Sequence, residues 1–457
     1  MKIVLIELPH VYLMQQKTQA PLGLMYLASV LEKNNIDVEI KRLVSLNLKD
    51  KENFIPEADI YGISSVSLDY SSAKEICKRL KKENKVVIIG GYHATAEIES
   101  VKNDKIESGD FLWDSVCSGE FEITILDVVR DFSLGKLKRF YFGKRVSSLD
   151  TLPFPARHLI KEQGSDIFAY DKHYSKNKLS TVICSSRGCP FNCCFCSTRC
   201  MWGGNVRYRS AENMINEIKH CIDEYGIREF RFSDELFTVN KKRVKELMEW
   251  FKNKRIYWKC STRSDCVDEF VLQSMKDGGC MEIAFGVESA DSNVLNVINK
   301  KSEVKDHINA LKLCEKIGIE TRVLMMINTP GETIDTVQKN IDFLDTVPYT
   351  CASLSVFKPL PGSPVWNNPE FFGIEIFNKN LDDYNIYMWI KGELEENNSE
   401  DVFRIKSLPS IESQIDNRKR MIEYFYKTEK MNELFRALKQ KKKLKKNDKM
   451  KKRFYND

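Results

Sequence analysis

Cys189, Cys193 and Cys196 stand in the run Arg187-Gly188-Cys189-Pro190-Phe191-Asn192-Cys193-Cys194-Phe195-Cys196. A compact loop with this C-x3-C-x2-C spacing can turn three thiolates to one face, where they bind three irons of a 4Fe-4S cluster. The fourth iron is then left without a protein ligand. An iron with an open position lets a small molecule coordinate and react, so the loop predicts a reaction site as well as an electron carrier. Zinc is the competing reading. A structural zinc ion takes four closing ligands, commonly from two paired spacings, and no second pair stands out, although Cys184 and Cys200 flank the loop. A disulfide framework does not suit a long, lysine-rich chain without a secretory leader. Cys194 lies inside the motif but off its spacing and reads as a packing thiol.

Such a loop must be carried by a scaffold, and the surrounding sequence supplies one. From residue 181 onward, strand-like runs at 181–185, 229–233, 256–262, 281–287, 320–327 and 352–357 alternate with helical segments. Six βα units predict an open parallel barrel with its active residues at the carboxyl ends of the strands. The cysteine loop follows the first of them. Residues 1 to about 135 show a separate alternation, with strands expected at 3–7, 38–43, 60–66, 86–90 and 116–118 and helices at 22–33, 72–83, 94–101 and 123–132. That order argues for right-handed βαβ units around a parallel sheet, whose ligands bind beyond the carboxyl ends of the strands. Gly90-Gly91 and Ser64-Ser65 are placed for this role. The absence of G-x-G-x-x-G weakens a nicotinamide-binding reading. The two prolines of Leu152-Pro153-Phe154-Pro155 mark a boundary between the two alternations.

The expected organisation is an α/β chain. Residues 1–140 form a Rossmann-like, doubly wound domain, 141–180 a linker, 181–366 a partial (β/α)6 barrel, and 367–457 a small, mainly helical region with a basic tail. In the last of these, Tyr384, Tyr387, Met388 and Trp389 are candidates to cover the barrel mouth, and 418–438 reads as a helix whose Met421, Ile422, Phe425, Leu434 and Phe435 dock on the core.

Composition sets outer bounds. With 42% hydrophobic and 30% charged residues, the 457-residue chain is that of an ordinary folded protein. The net charge of +6 is concentrated at one end, since Lys439 to Arg453 holds ten Lys or Arg against one Asp, leaving −3 for everything else. That distribution gives no basic, aromatic-studded patch on the body, so a nucleic-acid partner is not expected. No run reaches membrane-spanning length. Fourteen dispersed cysteines suit reduced thiols and a cytoplasmic protein, and an oxygen-sensitive cluster favours an anaerobic setting.

The cysteine run resembles the signature of the radical S-adenosylmethionine (SAM) enzymes, and the resemblance extends from Thr181 to Pro364. It implies that SAM binds at the open iron beside Phe195. It also implies SAM contacts at the strand ends, from Asp234 and Glu235 (one of which accepts from the SAM amino group), from Arg263, from Glu288 and Ser289 near the ribose, and from Pro330 in the loop Asn328-Thr329-Pro330-Gly331-Glu332-Thr333 near adenine. In that loop Asn328 replaces the family's glycine. For any single acid a surface charge or a helix cap is the competing reading, Glu332 being placed to cap a helix that starts near Thr333.

The first domain resembles the cobalamin-binding domain found ahead of some radical SAM barrels, while the linker and barrel motifs resemble the magnesium-protoporphyrin monomethyl ester cyclase-like branch. The first domain's resemblance rests on Pro21-Leu22-Gly23, Gly90-Gly91-Tyr92-His93 and Gly119-Glu120-Phe121-Glu122. It implies cobalamin contacts from Pro21, Leu22, Gly23, Ser64, Ser65, Gly90, Gly91, His93, Gly119 and Glu120. Tyr92 stands where proline is frequent, and Phe121 where glycine is usual. There is no D-x-H-x-x-G motif, so neither His93 nor His10 is expected to bind cobalt. The function so implied is a cobalamin-dependent radical SAM methyltransferase acting on an unactivated carbon of a small molecule, with flavodoxin or ferredoxin as electron donor. An oxidative cyclase or rearrangement enzyme is the alternative with the same cofactors, and a non-catalytic iron–sulfur or cobalamin-binding regulator is the alternative of another class.

Overall fold

The computed structural model describes residues 1–10, 16, 20–45, 47, 48, 50, 51, 54–160, 179–384 and 402–428. The first domain is built on six parallel strands: β1 (Lys2–Glu7), β2 (Asp37–Arg42), β3 (Ile60–Ser64), β4 (Val86–Gly90), β5 (Ser115–Ser118) and β6 (Phe140–Phe142), in the spatial order β2-β1-β3-β4-β5-β6. Its inner strands are near-continuous apolar runs, as parallel strands covered on both faces must be. Helix Leu22–Lys33 closes one face with Leu24, Met25, Ala28 and Leu31, and helix Tyr70–Lys82 closes the other with Ala73, Ile76, Cys77 and Leu80. The strand order reverses between β1 and β3, which opens a cleft over their carboxyl ends.

Two details depart from expectation. The helix expected at 94–101 is broken at Glu97 into Tyr92–Ala96 and Ile98–Asn103. Glu97 leaves the helical region and accepts a hydrogen bond from Trp366 Nε1 at 2.7 Å, so a contact with the second domain outweighs helix continuity. The sixth strand is an addition to the expected five, because three residues, Phe140–Phe142, carry too little alternation to reveal a strand.

The described part of the expected linker is not a free spacer. Leu152, Ala156, Leu159 and Ile160 pack on the first domain's core, and Ala156 N–H donates to Met25 O at 3.1 Å.

The barrel begins with β7 (Ser180–Ile183). A short antiparallel pair, β8 (Ser186–Arg187) and β9 (Arg207–Tyr208), frames the cysteine loop. The remaining barrel strands are β10 (Glu229–Phe232), β11 (Tyr257–Thr262), β12 (Cys280–Glu288), β13 (Glu320–Ile327) and β14 (Cys351–Val356). The order β14-β13-β12-β11-β10-β7 follows the chain, every neighbour is parallel, and β7 and β14 are the free edges. All six expected barrel strands are therefore present.

The C-terminal region adds an antiparallel pair, β15 (Ile374–Ile376) with β16 (Phe403–Ile405), and helix Ile411–Lys427. That helix docks Met421, Ile422 and Phe425 into the barrel core, as expected. Leu434, Phe435, Tyr387, Met388, Trp389 and the basic tail lie outside the described residues, while Tyr384 is buried and packs against Trp366. Among the described residues no helix is long and apolar enough to cross a membrane.

Candidate functional site

The cysteine loop leaves β8 at Gly188. Its φ of +108° favours glycine, and a Cβ there would lie 2.4 Å from Asn205 O. Backbone bonds from Cys194 N–H to Ile298 O and from Val365 N–H to Cys194 O, both 2.9 Å, pin the middle of the loop. Cys194 is thereby fixed in an apolar cluster with Val294, Phe357 and Val365, as its off-register position predicted. Burial pushes the Cys193 thiol up to about 11, against the pull of the Lys300 ammonium and the Arg263 guanidinium. Burial also raises Cys189, and both thiols feel the charge of Cys196. Cys196 within the field of both other thiols, beside two cations, suits a cluster held by three thiolates. Among the described residues no three His, Cys, Asp or Glu side chains converge as ligands of a single ion do.

The strand ends around this loop divide into groups that face the cavity and groups spent on the fold. Asp234, after β10, is spent. It accepts from Ser185 N–H at 3.0 Å, from Ser185 Oγ at 2.6 Å and from Ser186 Oγ, and Arg243 stands 4.0 Å away. Among the described residues its neighbour Glu235 accepts only from Thr198 Oγ1, at 3.0 Å, and burial raises its pKa. Glu235 is thus the acid of the pair with an oxygen to offer.

Arg263 forms a two-point pair with Asp265, at 2.8 and 2.7 Å, and its guanidinium lies 3.7 Å from the centre of the Phe191 ring, bracing the cysteine loop from β11. Glu288 ends β12 after a register break and has a φ of +66°, which turns its carboxylate onto Lys300 at 2.9 Å. A side chain at Gly286 would collide with this pair, its Cβ lying 2.5 Å from Glu288 Oε1. Ser289 is wholly buried and holds Asn340 and the N–H of Asp291, so its side chain supports the strand end rather than facing a ligand.

The loop from Asn328 to Thr333 is held from outside the barrel. Asn328 adopts φ +62°, the conformation a glycine there would supply, and asparagine tolerates it. Its Nδ2 donates to Gln414 O at 2.8 Å, Asn417 Nδ2 donates to Thr333 O at 3.0 Å, and Ser407 Oγ donates to Glu332 O at 2.7 Å. The C-terminal helix is therefore a strap on the loop that contains buried Pro330.

Glu332 is not the cap of the helix that follows, which runs Thr336–Thr346 behind Asp335. It is fully buried, and Oε1 accepts from Thr329 N–H and Oγ1 at 2.8 Å each. Burial raises its pKa to about 7. An acid whose folded pKa lies above its unfolded one loses no stability at low pH, then loses it progressively as pH rises from the unfolded value through 7. Glu332→Gln keeps the accepting oxygen and removes the charge. The variant should therefore match the parent near pH 4.5 and exceed it at pH 8 by on the order of 2–3 kcal/mol. Denaturant unfolding at the two pH values measures this, and an equal or smaller gain at pH 8 than at pH 4.5 contradicts it.

Over the first sheet, a cavity of about 290 Å³ is lined by Gly23, Leu24, Ser64, Gly90, Gly91, Tyr92, Gly119, Glu120 and Phe121 above an apolar floor of Leu5, Ile63 and Ile88. A Cβ on Gly23 would meet no atom within 4 Å, so packing does not require glycine there. Its bareness leaves room for a ligand against the helix at the strand ends.

Of the expected residues, His93, Ser65, Pro21 and Leu22 do not line this cavity. His93 turns away from the cavity. Its Nδ1 lies 3.1 Å from Ser67 Oγ, its ring stacks 4.0 Å from Tyr70, and burial lowers its pKa to about 4. Ser65 is also turned inward, donating to Asp69 Oδ1 at 2.8 Å. Pro21 starts the helix without lining the cavity, whereas Leu22 lines a neighbouring one.

Glu120 lines the cleft but is committed to the barrel: Arg187 Nη1 lies 3.2 Å and Arg207 Nη1 2.9 Å from its Oε2. Arg187 also pairs with Glu122 at 2.6 Å. Both arginines belong to the β8–β9 pair that frames the cysteine loop, so this buried network joins the two domains at their sites. Sequence reasoning missed it, along with Tyr26 and Trp202, whose rings flank Arg187 at 5.2 and 4.9 Å. Arg187, two residues before Cys189, was visible only as part of the motif, and nothing in its spacing marked its partners.

A middle cavity of about 200 Å³ connects the halves. It shares Gly23, Tyr92, Glu122 and Trp202 with the cleft over the first sheet, and Leu22, Ser233 and Glu235 with a cavity inside the barrel mouth that reaches Asp234 and Ser261.

Residues 183–344 match the model of the radical SAM superfamily. The uncharacterized methyltransferase PH0819 of Pyrococcus horikoshii is 30% identical over 371 residues, covering 76% of this chain and 78% of that protein. Cytidylyl-2-hydroxyethylphosphonate methyltransferase of Streptomyces wedmorensis is 26% identical over 412 residues, covering 75% and 76%. The radical SAM methyltransferase TsrM from Kitasatospora setae, solved with cobalamin and a 4Fe-4S cluster, superposes with a TM-score of 0.64 over 83% of this chain and 77% of that one. At 17% identity the last likeness is one of fold. The chain belongs to the radical SAM superfamily, with a doubly wound parallel α/β domain ahead of the barrel.

Proposed function

We propose that this chain is a cobalamin-dependent radical SAM methyltransferase acting on a carbon of a small molecule. The observation that carries the reading is the middle cavity, which opens toward the cysteine-loop side at Glu235 and toward the glycine-lined cleft at Gly23 and Tyr92. When bound, the cluster supplies the electron that splits SAM into methionine and a 5′-deoxyadenosyl radical, and cobalamin supplies the methyl group.

The chain's own residues do the positioning. Cys189, Cys193 and Cys196 hold the cluster, and Glu235 accepts from the SAM amino group. Arg263 and the Glu288–Lys300 pair fix the walls around them. The glycine edges at residues 23, 90, 91 and 119 let a flat cofactor approach the backbone. A small enclosed volume between the two sites holds reacting groups in line and keeps water from quenching a radical.

The test is an anaerobic reconstitution of the full chain with iron, sulfide and cobalamin, followed by SAM and dithionite. Formation of 5′-deoxyadenosine together with retained cobalamin absorbance is expected. Without 5′-deoxyadenosine above the reductant-free control the reading falls. If the radical product forms on a protein that retains no cobalamin, the methyl-transfer half falls.

A further inference from the structure

The middle cavity has a composition that selects its occupant. Three aromatic rings, Tyr26, Tyr92 and Trp202, are among its walls. Its one guanidinium, Arg187, is already countered by Glu120 and Glu122, so it presents no free cation to an anionic group. Glu235 stands at the edge shared with the barrel cavity, where the proposed function gives it to SAM. Among the described residues no unspent charge is left for the substrate once SAM takes Glu235.

Among the described residues the two serine hydroxyls are committed as donors, and the Tyr26 hydroxyl lies against a buried ion pair. Ser186 donates to Asp234, and Ser233 donates to Ile183 O at 3.3 Å. Tyr26 Oη is turned to the buried Arg209–Glu217 pair, 3.4 Å from Arg209 Nη1. Tyr92 instead accepts from Trp202 Nε1 at 2.8 Å. A phenol that accepts one bond still has its own hydrogen to give, and among the described residues no acceptor takes it. Burial keeps that proton on the oxygen. The Trp202 bond fixes the hydroxyl at a wall common to the middle cavity and the cleft.

We propose that Tyr92 determines specificity, and that the middle cavity takes an uncharged, flat group bearing one hydrogen-bond acceptor for the Tyr92 hydroxyl. This inference rests on the proposed function for the statement that the substrate occupies this cavity, but its test does not depend on turnover.

The probes are naphthalene, quinoline, 2-naphthoate and 2-naphthylmethylammonium, titrated by saturation-transfer NMR at pH 8 into the anaerobically reconstituted full chain saturated with SAM and without reductant, so that Glu235 is occupied. Quinoline, which has the acceptor, should bind about two- to tenfold more tightly than naphthalene, the range a single neutral hydrogen bond provides. Tyr92→Phe should bring that ratio to about one while leaving naphthalene within about twofold. Trp202→Phe, which removes the bond that fixes the hydroxyl, should also reduce the ratio. Both ions should bind at least about tenfold more weakly than naphthalene, because each brings an unpaired charge into the cavity. A quinoline preference that survives Tyr92→Phe overturns the proposal. So does an ion that binds as tightly as naphthalene, or the failure of all four probes to bind. Absence of 5′-deoxyadenosine with the quinoline preference intact would instead count against the proposed function alone.

Discussion

Replacing any one of Cys189, Cys193 or Cys196 with alanine should strip the reconstituted protein of most of its iron and lower 5′-deoxyadenosine formation by more than about 100-fold, since even the outer partners of metal ligands are worth roughly 10–100-fold. Cys194→Ala should behave differently although it changes the residue between two of them. Its side chain packs with Val294, Phe357 and Val365, and its contribution to loop shape comes through backbone bonds that alanine retains. That variant should keep about four irons per chain and lose roughly 1 kcal/mol of stability. Cys184→Ala and Cys200→Ala should also retain the cluster, which separates a three-cysteine cluster from a zinc site closed by a flanking thiol. Iron and sulfide assays with the absorbance of the reconstituted protein decide the matter. Loss of metal in Cys184→Ala or Cys200→Ala, with normal folding, would show that the ligand set has been misread.

The difference between Cys194 and its neighbours is legible in the sequence alone, because spacing along a short loop dictates which side chains share a face. The barrel is legible for a similar reason. Short strand-like runs alternate there with helical ones in a repeated βα order, and β13 is bounded at the residues expected. Choices made by distant partners leave no such mark. Asp234 and Glu235 are adjacent acids at a strand end, and only the positions of Ser185, Ser186 and Arg243 reveal that the first is consumed by the fold. His93 follows the glycine turn as a ligand-binding histidine would, yet Ser67 and Tyr70 hold it on the opposite side. The strap that Gln414 and Asn417 place on the loop after β13 joins residues more than eighty positions apart. No local periodicity encodes a pairing of that kind.

Distant pairing also hides Arg187, whose replacement should have the second largest effect. Arg187, Glu120 and Glu122 are 5%, 3% and 5% exposed, so the network is out of reach of solvent that could screen it. In Arg187→Ala, Glu120 keeps Arg207 but Glu122 loses the cation that pairs with it. Breaking a buried pair by removing one partner costs about 3–5 kcal/mol, because the remaining charge is left desolvated. The damage should also reach function, since Glu120 and Glu122 belong to the loop that lines the cleft while Arg187 lies two residues from Cys189. Cobalamin retained per chain and 5′-deoxyadenosine yield should therefore fall together. Arg187→Lys should recover only part of either, because one ammonium cannot bridge two carboxylates as a planar guanidinium does. Thermal unfolding and cobalamin content measured on the same preparations test both halves. If Arg187→Ala unfolds like the parent and holds cobalamin equally well, the interdomain network does not align the two sites.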